Sequence, residues 1–202
     1  MIRRVALGLV GVTVLILTLA CNVSVGGFGR RTIRGSSRVT EEIREIGSID
    51  SVELATIGTL FIEADLEADR FEIVVSSSGD LLMGELDCGS CDIRLSSSGD
   101  VDLEAVYGEQ LNVRISSSGD LTIDGGDVER QEVRLSSSGT YDARQLDSES
   151  ASVQISSSGS ATVRVDGRPK ADLSSSGNLR YYGDPDVEAT TSSSGDVIDA
   201  GE

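Results

Sequence analysis

The sequence predicts an all-β chain wound as a right-handed parallel β-solenoid, a single-stranded β-helix of about eight rungs with a 20-residue period. Three observations carry this. The motif Ser-Ser-Ser-Gly occurs seven times, with its glycine at 79, 99, 119, 139, 159, 177 and 195, so that successive copies stand 20, 20, 20, 20, 18 and 18 residues apart. A period this regular marks a repeat architecture. On both sides of the motif apolar residues alternate with polar ones, the pattern of strands with one buried face. The chain has only three Phe and four Tyr, with no Trp, among its 202 residues, which suits a narrow interior filled by small aliphatic columns.

Aligned on the motif glycine, the positions eight, six and four before it carry Phe71, Ile73, Val75; Cys91, Ile93, Leu95; Leu111, Val113, Ile115; Gln131, Val133, Leu135; and Ala151, Val153, Ile155. The positions two and four after it carry Leu81, Met83; Val101, Leu103; Leu121, Ile123; Tyr141, Ala143; and Ala161, Val163. A degenerate copy precedes them, keeping the same parity in Val52, Leu54, Thr56, Gly58, Leu60 and Ile62. Each unit thus reads as two strands. Coiling them in parallel keeps equivalent residues in one column, which an antiparallel meander does not, and the crossover rule makes the coil right-handed. No rung covers its own apolar face, so stacking supplies the core.

The motif has a structural reading. Its middle serines, Ser77, Ser97, Ser117, Ser137, Ser157, Ser175 and Ser193, share the inward parity, and their hydroxyls are expected to hydrogen-bond from rung to rung. The glycine permits the bend and the close approach of successive turns. The residue after it is Asp80, Asp100, Asp120 and Asp196, interrupted by Thr140, Ser160 and Asn178. Each Asp is expected to cap its own turn through backbone N–H groups. A bound cation is the weaker reading, because calcium-binding nonapeptide solenoids have a shorter period and a spacer between glycine and aspartate; no metal site and no cofactor are expected.

These strand-motif-Asp-strand copies resemble the putative auto-transporter adhesin head domain, or head GIN domain, of bacterial envelope proteins. So do the entry segment Ser51-Val-Glu-Leu-Ala-Thr-Ile-Gly-Thr-Leu-Phe-Ile62 and the closing Asn178-Leu-Arg-Tyr-Tyr-Gly-Asp-Pro185. The resemblance covers about residues 45–198. Members typically carry Ser-Gly-Ser-Gly-Asp, whereas serine replaces the first glycine in every copy here. The resemblance implies a right-handed β-solenoid at the cell envelope.

Ahead of the repeat, residues 1–20 read as an export signal. Arg3 and Arg4 give a positive start, Val5 to Ala20 carries no charge, and Thr18-Leu19-Ala20 places small residues before Cys21. Cysteine at that place resembles the bacterial lipobox, although Thr18 stands where Leu is preferred, so Cys21 is the expected lipidation site. Ordinary signal cleavage and an uncleaved anchor are the alternatives. Residues 21–47 read as a basic, flexible tether and entry segment, with Arg30, Arg31, Arg34 and Arg38 among Gly and Ser; residues 48–199 form the solenoid domain.

Composition excludes much chemistry. There is no His and Lys170 is the only lysine, so no Ser-His-Asp triad, no Cys-His pair and no imidazole zinc site can form. The formal charge of −17 opposes nucleic-acid binding. Cys88-Gly-Ser-Cys91 sits at a corner between rungs. With Cys21 in lipid it is an even pair in an oxidising compartment, so a local disulfide between Cys88 and Cys91 is expected ahead of redox or metal work. Arg94, Arg114 and Arg134 beside Asp92, Asn112 and Glu132 form an outward column that reads as a solvated charge ladder. The corners hold Asp87, Glu109, Asp127, Asp147, Glu149, Asp166, Asp184 and Asp186, where a solenoid usually binds.

The expected function is that of a non-catalytic envelope lipoprotein, exported and membrane-anchored, whose solenoid binds an envelope protein or a glycan. No catalytic residue is expected. The alternative is a β-helix enzyme acting on polysaccharides through two carboxylates. The parity assignment is testable: Val113→Asp, inward, prevents folding because it buries an unpaired charge, while Arg114→Asp is tolerated. Circular dichroism of both variants decides, and equal tolerance means that the strands share no buried face.

Overall fold

The computed structural model describes residues 12–18, 22–26, 31–34, 40–46, 49–55, 58–63, 65–192 and 194–201. These residues contain strands and no helix. From residue 51 onward every pairing within the repeat is parallel and joins equivalent positions of successive units: Val101 pairs with Leu81 and Leu121, and Val113 pairs with Ile93 and Val133. The fold is a parallel β-solenoid of about seven turns, against the eight rungs expected. The first copy, Ser51–Leu54 with Gly58–Glu63, and the last, Glu188–Thr191 with Val197–Asp199, each contribute a strand to both long faces.

Each 20-residue turn has three sides where two were expected. The first long face stacks the strands before the serine motif, such as residues 111–115. The second stacks those after it, such as residues 101–104. Between them lies a short parallel face, in which Leu86 pairs with Leu66 and Val106, and Val128 pairs with Gly108 and Ser148. Alternation is legible only over several residues, and this side is about three residues long. The continuous strands Asp80–Leu95 and Val101–Ile115 each bend around all three sides. In the 18-residue units the short face drops out: Ser160–Arg164 passes through a bend directly into Lys170–Leu173.

Inward positions are closed to solvent along the rod, including Ile73, Leu81, Val101, Leu111, Val113, Leu121, Val133, Val153 and Val163, all at 0 or 1% exposure. Gln131 and Tyr141 also point inward. They face each other across the interior, where the Tyr141 hydroxyl donates to Gln131 Oε1 at 2.7 Å. The next rung carries Ala161 beside Tyr141 and Ala151 beside Gln131, which leaves room for the larger pair. Burial pushes the Tyr141 hydroxyl far above its ordinary pKa.

The serine corner is built differently from the expectation. Among the described residues no hydrogen bond joins one middle serine hydroxyl to another, and Ser77 Oγ is buried without a partner. Equivalent atoms on adjacent rungs lie about 4.8 Å apart, too far for a hydroxyl to reach its copy. The backbone makes the ladder instead. The first serine of each motif donates its N–H to the last strand carbonyl of the previous rung, as in Ser96 to Val75, Ser116 to Leu95 and Ser156 to Leu135, each at 2.9 Å.

The glycine that follows is compelled by contact. A Cβ on Gly99 would stand 2.1 Å from the Gly79 carbonyl oxygen, on Gly119 2.4 Å from that of Gly99, and on Gly139 2.4 Å from that of Gly119. Each glycine rests on the one below. Gly119→Ala is therefore expected to cost at least ~2 kcal/mol, because the obstacle is backbone that cannot rotate away. Gly125→Ala, where the nearest atom would be 3.5 Å away, should change stability by less than ~1 kcal/mol. Urea unfolding of the two variants measures the difference.

Candidate functional site

The aspartates after the glycines stitch one rung to the next, where capping of their own turns was expected. Asp80 Oδ1 accepts the backbone N–H of Asp100 at 3.3 Å, Asp100 Oδ1 that of Asp120 at 3.0 Å, and Asp120 Oδ1 that of Thr140 at 2.8 Å. Asn178 Oδ1 does the same for Asp196 at 3.3 Å. The rise between rungs places the next N–H, which has no strand partner at the corner, within reach of the short side chain. After Thr140 and Ser160, the next N–H turns to the preceding glycine carbonyl, from Ser160 to Gly139 and from Asn178 to Gly159. The column is thus a structural position that tolerates non-acids. Among the described residues no cluster of three or more His, Cys, Asp or Glu is arranged to hold a metal ion.

On the first face the outward charges form the expected ladder, with a wider set of partners. Arg70 pairs with Asp92 at 2.7 Å, Arg94 with Glu72, and Arg134 with Glu132. Asn112 donates to Asp92 Oδ1 at 3.3 Å, and Arg134 Nε donates to Gln154 at 3.2 Å. Asp92 is 6% exposed, so two donors meet a carboxylate that water barely reaches. Apart from Arg134 with Glu132, which lies within one strand, these contacts run along the rod and tie rungs together.

The short face turns the acidic corners into a ridge. Glu67, Asp87, Tyr107, Asp127 and Asp147 occupy one register column, and Tyr107, at 41%, is one of the two most exposed large apolar side chains among the described residues. The three-residue pairing that aligns them was invisible as periodicity. Cys88 and Cys91 lie at the end of this face, both 1% exposed, with Cα atoms 5.8 Å apart. Cys21 lies outside the described residues, as does the lipobox boundary apart from Thr18.

The second face carries two opposed charge environments. Its first half holds Asp102, Glu104 and Asp124. Partial burial raises the Asp102 pKa, a hydrogen bond to Thr122 opposes the shift, and Asp100, Asp124 and Asp80 add to it. The second half holds Arg144, Arg164 and Arg180. Arg144 grips the Asp142 carboxylate, and this bond holds the Asp142 pKa below the carboxylate range. The Arg164 guanidinium lies 5.4 Å from the centre of the Tyr182 ring, within cation–π range.

Comparison with known proteins places this architecture. The family model described as putative auto-transporter adhesin, head GIN domain, matches residues 28–185. The chain belongs to this family. No curated protein matches it. Among solved structures, a putative adhesin from Parabacteroides distasonis is 20% identical with a TM-score of 0.69, over 93% of this chain and 82% of that one. A putative adhesin from Parabacteroides merdae is 18% identical with a TM-score of 0.69, over 88% and 78%. A putative lipid binding protein from Parabacteroides distasonis is 23% identical with a TM-score of 0.66, over 73% and 62%. At these identities the likeness establishes the fold.

The two environments on the second face predict opposite pH behaviour. A raised folded pKa means that folding favours the protonated Asp102, so its ionisation lowers stability as pH rises through that range. Asp102→Asn should raise the urea midpoint at about pH 7 and lose this advantage near pH 3. A depressed folded pKa means that Asp142 contributes stability above its unfolded pKa and loses it as pH falls. Asp142→Asn should lower the midpoint at about pH 7 and have little effect in acid. Shifts of the same sign at neutral pH contradict this reading.

Proposed function

We propose that the chain is a non-catalytic, exported envelope lipoprotein whose solenoid serves as an adhesion or protein-binding module, anchored through lipid on Cys21. The observation that carries it is the division of labour in each rung: the recurring motif is consumed in stacking, while the three outer faces present separate charge patterns to solvent. A repeat that spends its common residues on its own assembly leaves recognition to the residues that vary from rung to rung. Membership of an adhesin-type family supports the same reading, and so do the putative adhesins among its structural neighbours. The tether arginines suit an anionic lipid surface. Cys88 and Cys91 form a disulfide suited to an oxidising envelope, their 5.8 Å Cα separation lying in the bridging range.

The carboxylate-enzyme alternative draws on the Asp80, Asp100 and Asp120 column. Its members accept backbone N–H bonds from the following rung, a use that needs no substrate. Polysaccharide turnover by the purified chain, abolished by Asp100→Asn and Asp120→Asn with the fold intact, would replace the binding reading. Binding itself is tested by crosslinking on intact cells, which should capture the same envelope protein or glycan repeatedly with the wild-type chain.

Anchoring is tested separately. Cells fed radiolabelled palmitate should label the wild-type chain and send it to the detergent phase, whereas Cys21→Ser should lose both properties. Unlabelled wild-type protein in the soluble fraction replaces the anchor with simple secretion.

A further inference from the structure

Between Glu63 on the first rung and Ala200 on the last, one column on the outer side of the second face reads Gly84, Glu104, Asp124, Arg144, Arg164, Tyr182 along the rod. The register is set by Met83 with Leu103, Leu103 with Ile123, Ala143 with Val163 and Arg164 with Tyr182. The order is antisymmetric in charge about its midpoint: two acids face two arginines, and the gap left by a glycine is matched by an aromatic ring. The neighbouring column begins at Phe61 and ends at Ile198, and Ile198 is 38% exposed. A surface with this symmetry complements itself. Turned about a two-fold axis that lies in the face and crosses the rod between Asp124 and Arg144, a second copy sets Arg144 on Asp124, Arg164 on Glu104, Tyr182 over Gly84 and Ile198 on Phe61.

We propose that this face is the contact of an antiparallel homodimer, with a second copy of the chain as its occupant. The charged side chains are available for it. Glu104 and Asp124 are exposed and form no ion pair within the described residues. Arg144 keeps 51% of its side chain exposed while bound to Asp142, and Arg164 keeps 32% while it lies 3.7 Å from Asp147 and donates to the Arg144 carbonyl. Each copy meets the other through the same patch, so the contact closes at two chains. A patch roughly 15 Å by 35 Å, from strand and rung spacings, buries on the order of 500 Å² per partner, which places the contact in the weak, transient class. Weak contacts of this kind act through number on a crowded surface. The antiparallel arrangement puts the two N-terminal ends at opposite ends of the pair, so chains anchored in facing membranes meet through it. That last consequence rests on the anchored-adhesin reading; the dimer does not.

Sedimentation equilibrium of the purified full chain tests the proposal in about 0.15 M salt, where the long-range repulsion of two acidic bodies is screened. Concentrations run up to about 0.5 mM, where a patch of this size associates. The wild-type chain should form dimers. Glu104→Arg and Arg164→Glu should each weaken association at least ~10-fold, and the two together should restore it to within ~3-fold of wild type, because the exchanged charges meet again across the axis. Glu104→Arg combined with Arg144→Glu should not be restored, because residue 144 of the second copy faces position 124. Circular dichroism confirms that the variants are folded. A wild-type chain that stays monomeric overturns the proposal, as does either single change without effect. Equal rescue by Arg144→Glu shows charge balance without register, and overturns the arrangement too. Loss of lipid labelling with the dimer intact overturns only the anchor.

Discussion

The close stacking of the corner glycines is the constraint on which the rest of the rod depends. At Gly99, Gly119 and Gly139 the chain turns so tightly over the rung below that the space for a Cβ is already occupied by a carbonyl oxygen. This contact sets the distance between turns at one edge of the rod. With that edge held, the first serine N–H reaches the preceding strand carbonyl at 2.9 to 3.0 Å in successive copies, and the aspartate reaches the next N–H. Side chains of larger volume at the glycine would lift one edge and take the strand ladders on both long faces out of register.

Inside that frame, packing is a matter of columns. Small aliphatic residues fill most of them, and the Gln131–Tyr141 pair crosses the interior where alanines on the next rung make space. The hydroxyl and the amide oxygen satisfy each other, while Gln131 Nε2 is buried without a partner. The ends of the rod are treated differently. At the start, Val52, Leu54, Leu60 and Ile62 are at most 1% exposed, and Asn22–Gly26 and Val12–Thr18 pair antiparallel with Ser51–Leu54 and Gly58–Glu63. Within the stretch read as leader and tether, the described backbone is therefore extended against the first rung. At the far end Glu188–Thr191 is exposed throughout, and the positions in line with the core hold Ala189, Thr191 and Asp199 beside Val197, the one that still packs against it. Polar and charged residues at a terminal rung discourage further strands from adding to it.

Function is then left to the outer surfaces, which differ side by side on the same frame. The first face spends its charges on ion pairs along the rod, the short face gathers acids into a ridge, and the second face divides into an acidic and a basic half. Neighbouring rungs share a backbone path but not an outer sequence, so each face carries a pattern readable along some 35 Å. A flat surface of this kind suits recognition of another extended surface better than enclosure of a small molecule.

The repeat of Ser-Ser-Ser-Gly and the alternation around it were enough to determine the solenoid, its parallel stacking, the inward set of the two long faces from Val52 to Val163 and the outward charge ladder. These follow from period and parity alone, which survive in one dimension. What the sequence left undecided involves distances between rungs. The serine hydroxyls do not reach one another, the aspartates reach forward to the next turn, and the corners close into a third strand too short to announce itself by alternation. The mutual arrangement of Gly84, Glu104, Asp124, Arg144, Arg164 and Tyr182 was equally hidden, because its members are separated by 18 or 20 residues and become a column only when tertiary stacking brings successive turns to strand spacing.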